Sequence, residues 1–405
     1  MLQHPPLVKT LAPVPQDWQP YTLDPDYHFI TTLPSTSDRL FVAARHSSGE
    51  ICSIQKLPSV GSDIHRAKSY LKELKMLRHL RAHKNILCVY DMDSEIEDGS
   101  PLIDIYLYTE LPRSNLESIL SSKKSLSKRH IQFIMYQLFC ALKYIHSAGI
   151  IHMSIRPSNI LIDANIGVRL CDFSNARTHD SGSRKGDATP PLATDAMSYY
   201  RAPEMLLGGP KPSFPVDIWS AGCVLAEVIG GAPIFDRKDL PGQIRTIISH
   251  LGTPSDEVLS QIASVQTANN LRTTRRQAAQ PFAEFIPGAT HEEISIIRQA
   301  LIWDPKLRGA ASDILESSYF SAWRNGGDEI VSHKSFRWDI DWESSPDAIN
   351  RLLLIEIAEF RSIVRQGSTH GPDHAGLGPR NWPPNDSLSQ SFGGSEEDGE
   401  FEWAD

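Results

Sequence analysis

The chain has 405 residues, which is long for one domain and suits two lobes with tails. Hydrophobic residues make up 40% of it, enough for a sizeable core, and a net charge of −9 argues against a nucleic-acid partner, which would need a basic surface. None of the five cysteines stands in a Cys-x-x-Cys pair, and no apolar run approaches the roughly 18 residues of a membrane span. We therefore expect reduced thiols, no membrane partner and a cytoplasmic or nuclear location.

The N-terminal third predicts an arm followed by strands. Residues 1–24 are proline-rich and predict either a flexible leader or a short docking motif. Residues 25–112 alternate apolar runs with turn signals, and FVAARHSSGEICSIQKL predicts two strands around a Ser-Ser-Gly turn. AKSYLKELKMLRHL has the apolar spacing of a helix, whereas DIYLYTEL predicts another strand.

Residues 113–322 are mainly helical in pattern. RHIQFIMYQLFCALKYIHSAG predicts a long buried helix that ends near Gly149, and VDIWSAGCVLAEVIGG predicts another apolar helix. Strands therefore come first and helices second, which indicates an α+β chain of two lobes.

The C-terminal part predicts an extension and a tail. Residues 323–366 contain DAINRLLLIEIAEFRSIV, an amphipathic helix expected to pack on the main domain. Residues 367–405 are rich in Gly, Ser, Pro and Asn and end in the acidic run EEDGEFEWAD, which predicts a disordered tail. Phe401 and Trp403 leave a second interpretation open, a peptide that docks in a basic, apolar groove.

Several strings in order indicate a family. They are IIHMSIRPSNILID, LCDFSNA, YYRAPEMLL, DIWSAGCVLAE, LGTP and WDPKLR. Together they resemble the C-terminal lobe of eukaryotic protein kinases, with the character of the cyclin-dependent and mitogen-activated (CMGC) branch. The resemblance covers about residues 25–320. It implies a bilobal protein-kinase fold with a small β-rich N-lobe and a larger α-helical C-lobe.

The resemblance places the glycine-rich phosphate loop on residues other than glycine. Its three glycines would fall at Leu33, Ser35 and Asp38, and Arg39 stands where a side chain packs on adenine. Backbone amides approach phosphate closely where glycine leaves room, and Asp38 would add a repelling charge. Arg39 also lies next to the position from which with-no-lysine kinases supply a substitute cation.

The lysine of the third strand is replaced as well. Gln55 stands where the family has the lysine that holds the α- and β-phosphates, while its usual helix partner is present as Glu73. Lys56 is adjacent, but alternation along a strand should turn it to the other face. A one-residue bulge or register slip would be needed to bring Lys56 into the site.

The predicted hinge also lacks a donor. Aligned on Asn115, the gatekeeper is Thr109, and the linker runs through Leu111 to Pro112. The backbone N–H that would donate to adenine falls at Pro112, and proline has none. An adenine acceptor left unpaired there would cost about 1–3 kcal/mol.

The catalytic loop also lacks residues that the family uses for phosphate transfer, whereas the metal ligands are retained. Ser154 replaces the aspartate that accepts the substrate proton, and Arg156 replaces the lysine that steadies the transferred phosphate. Met153 replaces an arginine that would bind an activation-segment phosphate. Asn159 and Asp172 remain as oxygen ligands for magnesium, or as local hydrogen-bonding residues.

The scaffold positions of the family are retained. These structural anchors are His152, Glu204, Asp217 and Arg308, of which Glu204 and Arg308 are expected to form a buried ion pair. In the activation segment, Thr189 precedes a proline and Thr194 lies nearby, so both are candidate phosphorylation sites. Met197 stands where the family has a threonine that touches the catalytic loop.

The substituted positions are therefore those that carry phosphate transfer in the family, whereas the structural anchors are retained. The sequence predicts a pseudokinase that needs no cofactor and binds a protein partner, such as a kinase, a cyclin-like protein or a scaffold. The alternative is an atypical but active Ser/Thr kinase of the cyclin-dependent type that transfers phosphate from ATP and Mg²⁺ to protein. An intermediate case binds nucleotide as a structural switch without turning it over.

Overall fold

The computed structural model describes residues 27–36, 39–46, 49, 51–57, 63–96, 103–122, 126–179, 199–237, 239–338 and 345–366. Within these ranges the chain forms two compact units. The first unit takes the described residues up to 82, then 87–112 and 345–366, and the second takes 83–86 and 113–338.

The first unit is built on an antiparallel sheet of five strands. They are β1 (Tyr27–Thr36), β2 (Arg39–His46), β3 (Ile51–Leu57), β4 (Val89–Ile96) and β5 (Ile103–Glu110), in the order β1-β2-β3-β5-β4. The predicted turn joins β2 to β3, where the amide of Gly49 donates to the carbonyl of His46 at 2.8 Å. Gly49 has a φ of +96°, a conformation that glycine adopts at little cost.

Alternation along the strands places a cluster of apolar side chains together on one face of this sheet. The buried side chains on it are Phe29, Val42, Ala44, Cys52, Ile54, Tyr106 and Tyr108. The helix α1 (Ile64–Leu80) follows β3, and its N-terminus is capped because the Asp63 carboxylate accepts a hydrogen bond from the amide of Arg66.

The second unit is mainly helical. Its helices are α2 (Leu116–Ser121), α3 (Lys128–Ser147), α4 (Pro203–Leu206), α5 (Pro215–Gly230), α6 (Leu240–Leu251), α7 (Asp256–Ile262), α8 (Val265–Arg272), α9 (Phe282–Phe285), α10 (His291–Ala300) and α11 (Ala311–Leu315). Short strands lie between α2 and α4: β6 (Ser114–Asn115), β7 (Ile150–Ile151), β8 (Ile160–Ile162), β9 (Val168–Leu170) and β10 (Arg177–Thr178). No helix in the described ranges is long and apolar enough to cross a bilayer.

The core of the second unit is formed around α3 and α5. Ser127 caps the start of α3 by accepting from the amide of His130, and the helix ends at Ser147, two residues before the predicted Gly149. Gly149 has a φ of +76°, so it turns the chain out of the helix at little cost. Leu142 on α3 and Trp219 on α5 are fully buried.

The segment after α11 lies along α3. Glu329 pairs with Lys143 of α3 at 3.2 Å, and Asp328 pairs with Lys84 at 2.7 Å. Further along, the amide of Phe336 donates to the carbonyl of Ala148 at 2.8 Å. Residues 323–338 therefore belong to the second unit.

The last helix, α12 (Pro346–Gln366), belongs instead to the first unit, where it packs on α1 and β4. The predicted amphipathic helix is confirmed, and so is its packing on the main domain. Its periodicity could not identify the surface it covers, because that surface is set by packing across the fold.

Candidate nucleotide and phosphate-transfer site

In the first unit, strand β3 separates Gln55 from Lys56. Pairing with β2 and β5 runs through both residues without a shift. Gln55 is buried, whereas Lys56 lies on the opposite face, where its Nζ is 2.7 Å from Asp104 Oδ2 and 5.7 Å from the ring centre of Tyr106. The register slip that would bring Lys56 to the position of Gln55 is therefore absent from β3.

Glu73 is held on the buried side of α1. Its side chain is 2% exposed, and Lys68 on the same helix is 4% exposed. An uncharged amide at Gln55 and a carboxylate at Glu73 thus occupy the positions that the resemblance assigns to an ion pair.

The predicted hinge residues follow the end of β5. Thr109 is buried and its hydroxyl donates to the carbonyl of Glu110 at 3.2 Å. Glu110 also accepts, through Oε1, from the amide of Cys88 at 3.0 Å. Leu111 is 37% exposed and Pro112 is half-buried. Pro112 has no N–H to donate, whatever its neighbours.

The predicted phosphate loop is described in part. Leu33 is half-buried, and the pairing of β1 with β2 is irregular between Leu33 and Thr36. The backbones of Ser35 and Arg39 belong to β1 and β2, but their side chains lie outside the described parts, as do Asp38, Thr189, Thr194 and Met197.

In the second unit, Asp217 orders the catalytic loop. Its carboxylate accepts from the backbone amides of His152 and Met153, each at 2.8 Å, and contacts Nε2 of His146 at 2.9 Å. These bonds hold Met153 at a φ of 68°, a left-handed conformation that is unusual outside glycine. Asp217 therefore fixes the backbone that presents residue 154.

His152 supports the same loop from its buried ring. Burial lowers the pKa of His152, which favours the neutral imidazole. In that form Nε2 donates to the carbonyl of Cys171 at 3.1 Å and Nδ1 accepts from the amide of Ser154 at 3.3 Å. The ring thus joins the catalytic loop to the start of the metal loop.

The side chain of Ser154 is engaged by an amide. It is 5% exposed, and its Oγ accepts from Nδ2 of Asn175 at 3.1 Å. In the described residues no carboxylate or imidazole side chain forms a hydrogen bond with this hydroxyl. A serine hydroxyl without such a base cannot accept a proton near neutral pH.

Asp172 and Asn159 lie together in the metal loop. Nδ2 of Asn159 donates to Oδ2 of Asp172 at 3.3 Å and to the carbonyl of Ser154 at 2.8 Å. The hydroxyl of Ser174 donates to Oδ1 of Asp172 at 2.6 Å. The two oxygen ligands suit magnesium, which usually takes one or two carboxylates with substrate phosphates. Ser174 competes for one of those oxygens.

The remaining predicted residues, Arg156, Glu204 and Arg308, make contacts that support the fold. Arg156 precedes a 3-10 turn over Pro157–Asn159, and its carbonyl accepts from the amide of Asn159 at 3.0 Å. Glu204 and Arg308 form a buried bidentate pair with N–O distances of 2.6 and 2.7 Å. This is the ion pair expected from the sequence.

Sequence reasoning missed Asn175 and Glu227. Asn175 follows the metal loop directly, so a polar residue there was the available signal for a contact with residue 154. Glu227 lies on α5, where its Oε2 accepts from the hydroxyl of Tyr200 at 2.6 Å. Its position in an apolar helix gave no sign of this partner.

Glu227 makes stability depend on pH. Burial, and then the charge of Glu117, raise its pKa from 4.5 to about 7 against the opposing bond from Tyr200. Between these values the folded chain holds a proton that the unfolded chain has released. The contribution of Glu227 to stability is therefore fully present below pH 4.5 and is lost as pH rises through 7. Above pH 7 the charged Glu227 therefore lowers the free energy of unfolding by about 3 kcal/mol, at 1.36 kcal/mol per pKa unit.

We expect Glu227→Gln to remove most of this dependence. The difference in free energy of unfolding between variant and wild type should grow in favour of the variant by about 3 kcal/mol from pH 4.5 to 8. Urea unfolding across that range measures it, with the exposed Glu257→Gln as control. A constant difference would contradict the assignment.

Comparison with known proteins supports the family. The sequence model of the family described as Protein kinase domain matches residues 38–320. The mitogen-activated protein kinase MPS1 of Pyricularia oryzae is 34% identical over 374 residues, covering 89% of each chain. The mitogen-activated protein kinase spm1 of Schizosaccharomyces pombe is 34% identical over 351 residues, covering 85% of this chain and 82% of that protein. Serine/threonine-protein kinase KDX1 of Saccharomyces cerevisiae is 32% identical over 356 residues, covering 87% and 82%.

The chain therefore belongs to the eukaryotic protein kinase superfamily. Within it, the relatives place the chain in the CMGC branch beside the mitogen-activated protein kinases. The predicted kinase fold is confirmed, with an antiparallel sheet in the N-terminal unit and a helical C-terminal unit. The relatives named are not cyclin-dependent kinases, so that half of the predicted resemblance gains no support.

Proposed function

We propose that this chain is a pseudokinase related to mitogen-activated protein kinases, which acts in signalling inside the cell by binding a protein partner. The observation that carries the proposal is the hydrogen bond from Asn175 to Ser154. Where active kinases have a carboxylate that accepts the substrate proton, this chain has a hydroxyl already bound to an amide.

Two further substitutions support the proposal. Gln55 is buried in β3 in the place of the phosphate-binding lysine, and Lys56 is held on the other face by Asp104. Pro112 has no N–H for adenine. Because positioning and charge neutralisation supply nearly all of the catalysis of phosphoryl transfer, several such losses together leave little rate enhancement.

A partner protein fits this proposal better than a substrate. The second unit keeps the family's scaffold contacts at Asp217, Glu204 and Arg308, which a binding module needs even without phosphate transfer. Because α12 packs on α1, any partner would find that part of α1 covered. A kinase, a cyclin-like protein or a scaffold would therefore bind elsewhere on the chain.

The alternative is an atypical active kinase, and one contact favours it. Nδ2 of Asn159 lies 3.3 Å from Oδ2 of Asp172, so the two side chains are neighbours. Their amide and carboxylate oxygens are groups that magnesium binds. Bound there, magnesium would neutralise charge on phosphate oxygens. The relatives compared above carry the names of kinases.

Thermal unfolding with nucleotide separates the two proposals. We expect no change in melting temperature at millimolar ATP with Mg²⁺, because Gln55 carries no charge for the phosphates and Pro112 has no N–H for adenine. A ligand at a hundred times its Kd would stabilise by about 2.7 kcal/mol, which is several degrees. A shift that EDTA removes, and that Asp172→Asn also removes, would favour the alternative.

A further inference from the structure

The catalytic loop of the second unit presents Ser154 and Arg156 on one ordered backbone. Asn159 bonds to both residues, since its Nδ2 donates to the carbonyl of Ser154 at 2.8 Å and its backbone amide donates to the carbonyl of Arg156 at 3.0 Å. Pro157 restricts the residue before it to an extended backbone, and Arg156 has a φ of −162° and a ψ of 161°. The two side chains are therefore carried by a single fixed loop.

Arg156 brings a positive charge to this loop without a counter-charge. Its side chain is half-buried, and its Nε is buried without a hydrogen-bond partner. In the part of the chain that the structure describes, no carboxylate pairs with its guanidinium. A guanidinium binds an oxyanion through two parallel N–H bonds, so Arg156 is available to an anionic ligand.

Ser154 adds a second donor on the same loop. Its side chain is 5% exposed, and its Oγ accepts from Nδ2 of Asn175 at 3.1 Å. The O–H proton of Ser154 is left to donate, and no acceptor among the described residues takes it. A neutral donor thus stands where the carboxylate of an active kinase would repel an anion.

Two carboxylates lie near this loop. Asp217 is fully buried, where its oxygens accept from two backbone amides. Oδ2 of Asp172 accepts from Nδ2 of Asn159 at 3.3 Å, and its Oδ1 accepts from the hydroxyl of Ser174 at 2.6 Å. The charge of Asp172 therefore opposes an anion on the loop, and its removal should strengthen anion binding.

Residue 154 also marks the place where a phosphoryl group arrives in an active kinase. The acceptor hydroxyl lies against the catalytic base during transfer, and afterwards it carries the phosphoryl group. In this chain a neutral donor replaces the base, while a cation remains at Arg156. A loop with these two features suits a phosphorylated side chain better than a free hydroxyl.

We propose that this loop binds a phosphorylated serine or threonine side chain of the protein partner. The guanidinium of Arg156 pairs with the phosphoryl oxygens, and the hydroxyl of Ser154 donates to one of them. The inference rests on the proposed function and deepens it, since it identifies the partner by its chemistry. A phosphorylated side chain offers the arginine a charge of −1.5 to −2 near pH 7, whereas an unmodified serine offers none.

Titration calorimetry of the full chain with a short peptide tests the proposal. The probe is a blocked pentapeptide with four alanines around one phosphoserine, and two comparison peptides carry serine or glutamate in its place. EDTA is present and nucleotide is absent, so that magnesium cannot bridge the phosphate to Asp172. We expect the phosphopeptide to bind at least about tenfold more tightly than either comparison peptide.

Four variants locate the binding site. Arg156→Gln should weaken phosphopeptide binding by about tenfold or more, because a charge-assisted contact is lost. Ser154→Asp should weaken it more than Ser154→Asn, which has the same shape without the charge. Asp172→Asn should tighten it, since a repelling charge is removed. Arg237→Gln is the matched control, because it removes an exposed cation of the same unit, and it should leave the Kd unchanged.

Three results would overturn the proposal. They are equal binding of the phosphopeptide and the serine peptide, equal binding of the phosphopeptide and the glutamate peptide, and a Kd for Arg156→Gln that changes no more than that of Arg237→Gln. None of them bears on the proposed function, which fails instead if the wild-type chain transfers phosphate from ATP.

Discussion

Arg308→Met should lower the free energy of unfolding by about 3–5 kcal/mol, the usual cost of breaking a buried ion pair by removing one partner. The guanidinium is buried and takes both carboxylate oxygens of Glu204. It also donates to the carbonyls of Ile302, Pro215 and Trp303 at 2.8, 3.1 and 3.3 Å. The variant would leave the Glu204 charge buried without its counter-ion.

Urea unfolding of the full chain measures this loss, and two further variants serve as controls. Arg308→Lys keeps the charge but cannot make the bidentate contact, so it should recover only part of the stability. Arg237→Met removes a surface cation that lies 3.5 Å from Asp236, and it should change stability by less than about 0.5 kcal/mol. An Arg308→Met loss as small as that of Arg237→Met would show that the pair is not an anchor.

The double variant Gln55→Lys, Ser154→Asp should transfer phosphate to a generic protein substrate at least about 10²-fold faster than wild type. The first change restores a cation on the buried side of β3, and the second places a carboxylate on the loop that Asp217 already orders. General-base catalysis alone is worth about 10²–10⁴ in rate.

A near-isosteric control isolates the base. Gln55→Lys, Ser154→Asn has the same shape at residue 154 without the charge, so it should remain at the wild-type rate. Steady-state incorporation of labelled phosphate compares the three proteins. Equal rates for the Asp and Asn variants would mean that residue 154 is not the missing base.

Local periodicity predicted some parts of this molecule well. Alternation along β3 was enough to separate Gln55 from Lys56, because side chains on a strand must change face at each residue. Apolar spacing likewise predicted α12. Both patterns are set by nearby residues in the chain.

Long-range packing could not be predicted in the same way. The contacts of Glu356 with Lys75 and Arg78 join residues far apart in the sequence, and neither helix carries a mark of the other. The bond from Asn175 to Ser154 depends on how two loops are held by His152 and Asp217. Glu227 and Tyr200 meet for a similar reason, across the packing of α5.

Phosphate transfer by the wild-type chain tests the central claim most directly. Purified protein would be incubated with millimolar γ-labelled ATP and Mg²⁺ beside Asp172→Asn, which removes the metal-loop carboxylate. The pseudokinase account predicts the same background labelling of protein substrate for both chains. Transfer by wild type that Asp172→Asn abolishes would contradict it, and would mean that the chain works as a kinase without the usual lysine and aspartate.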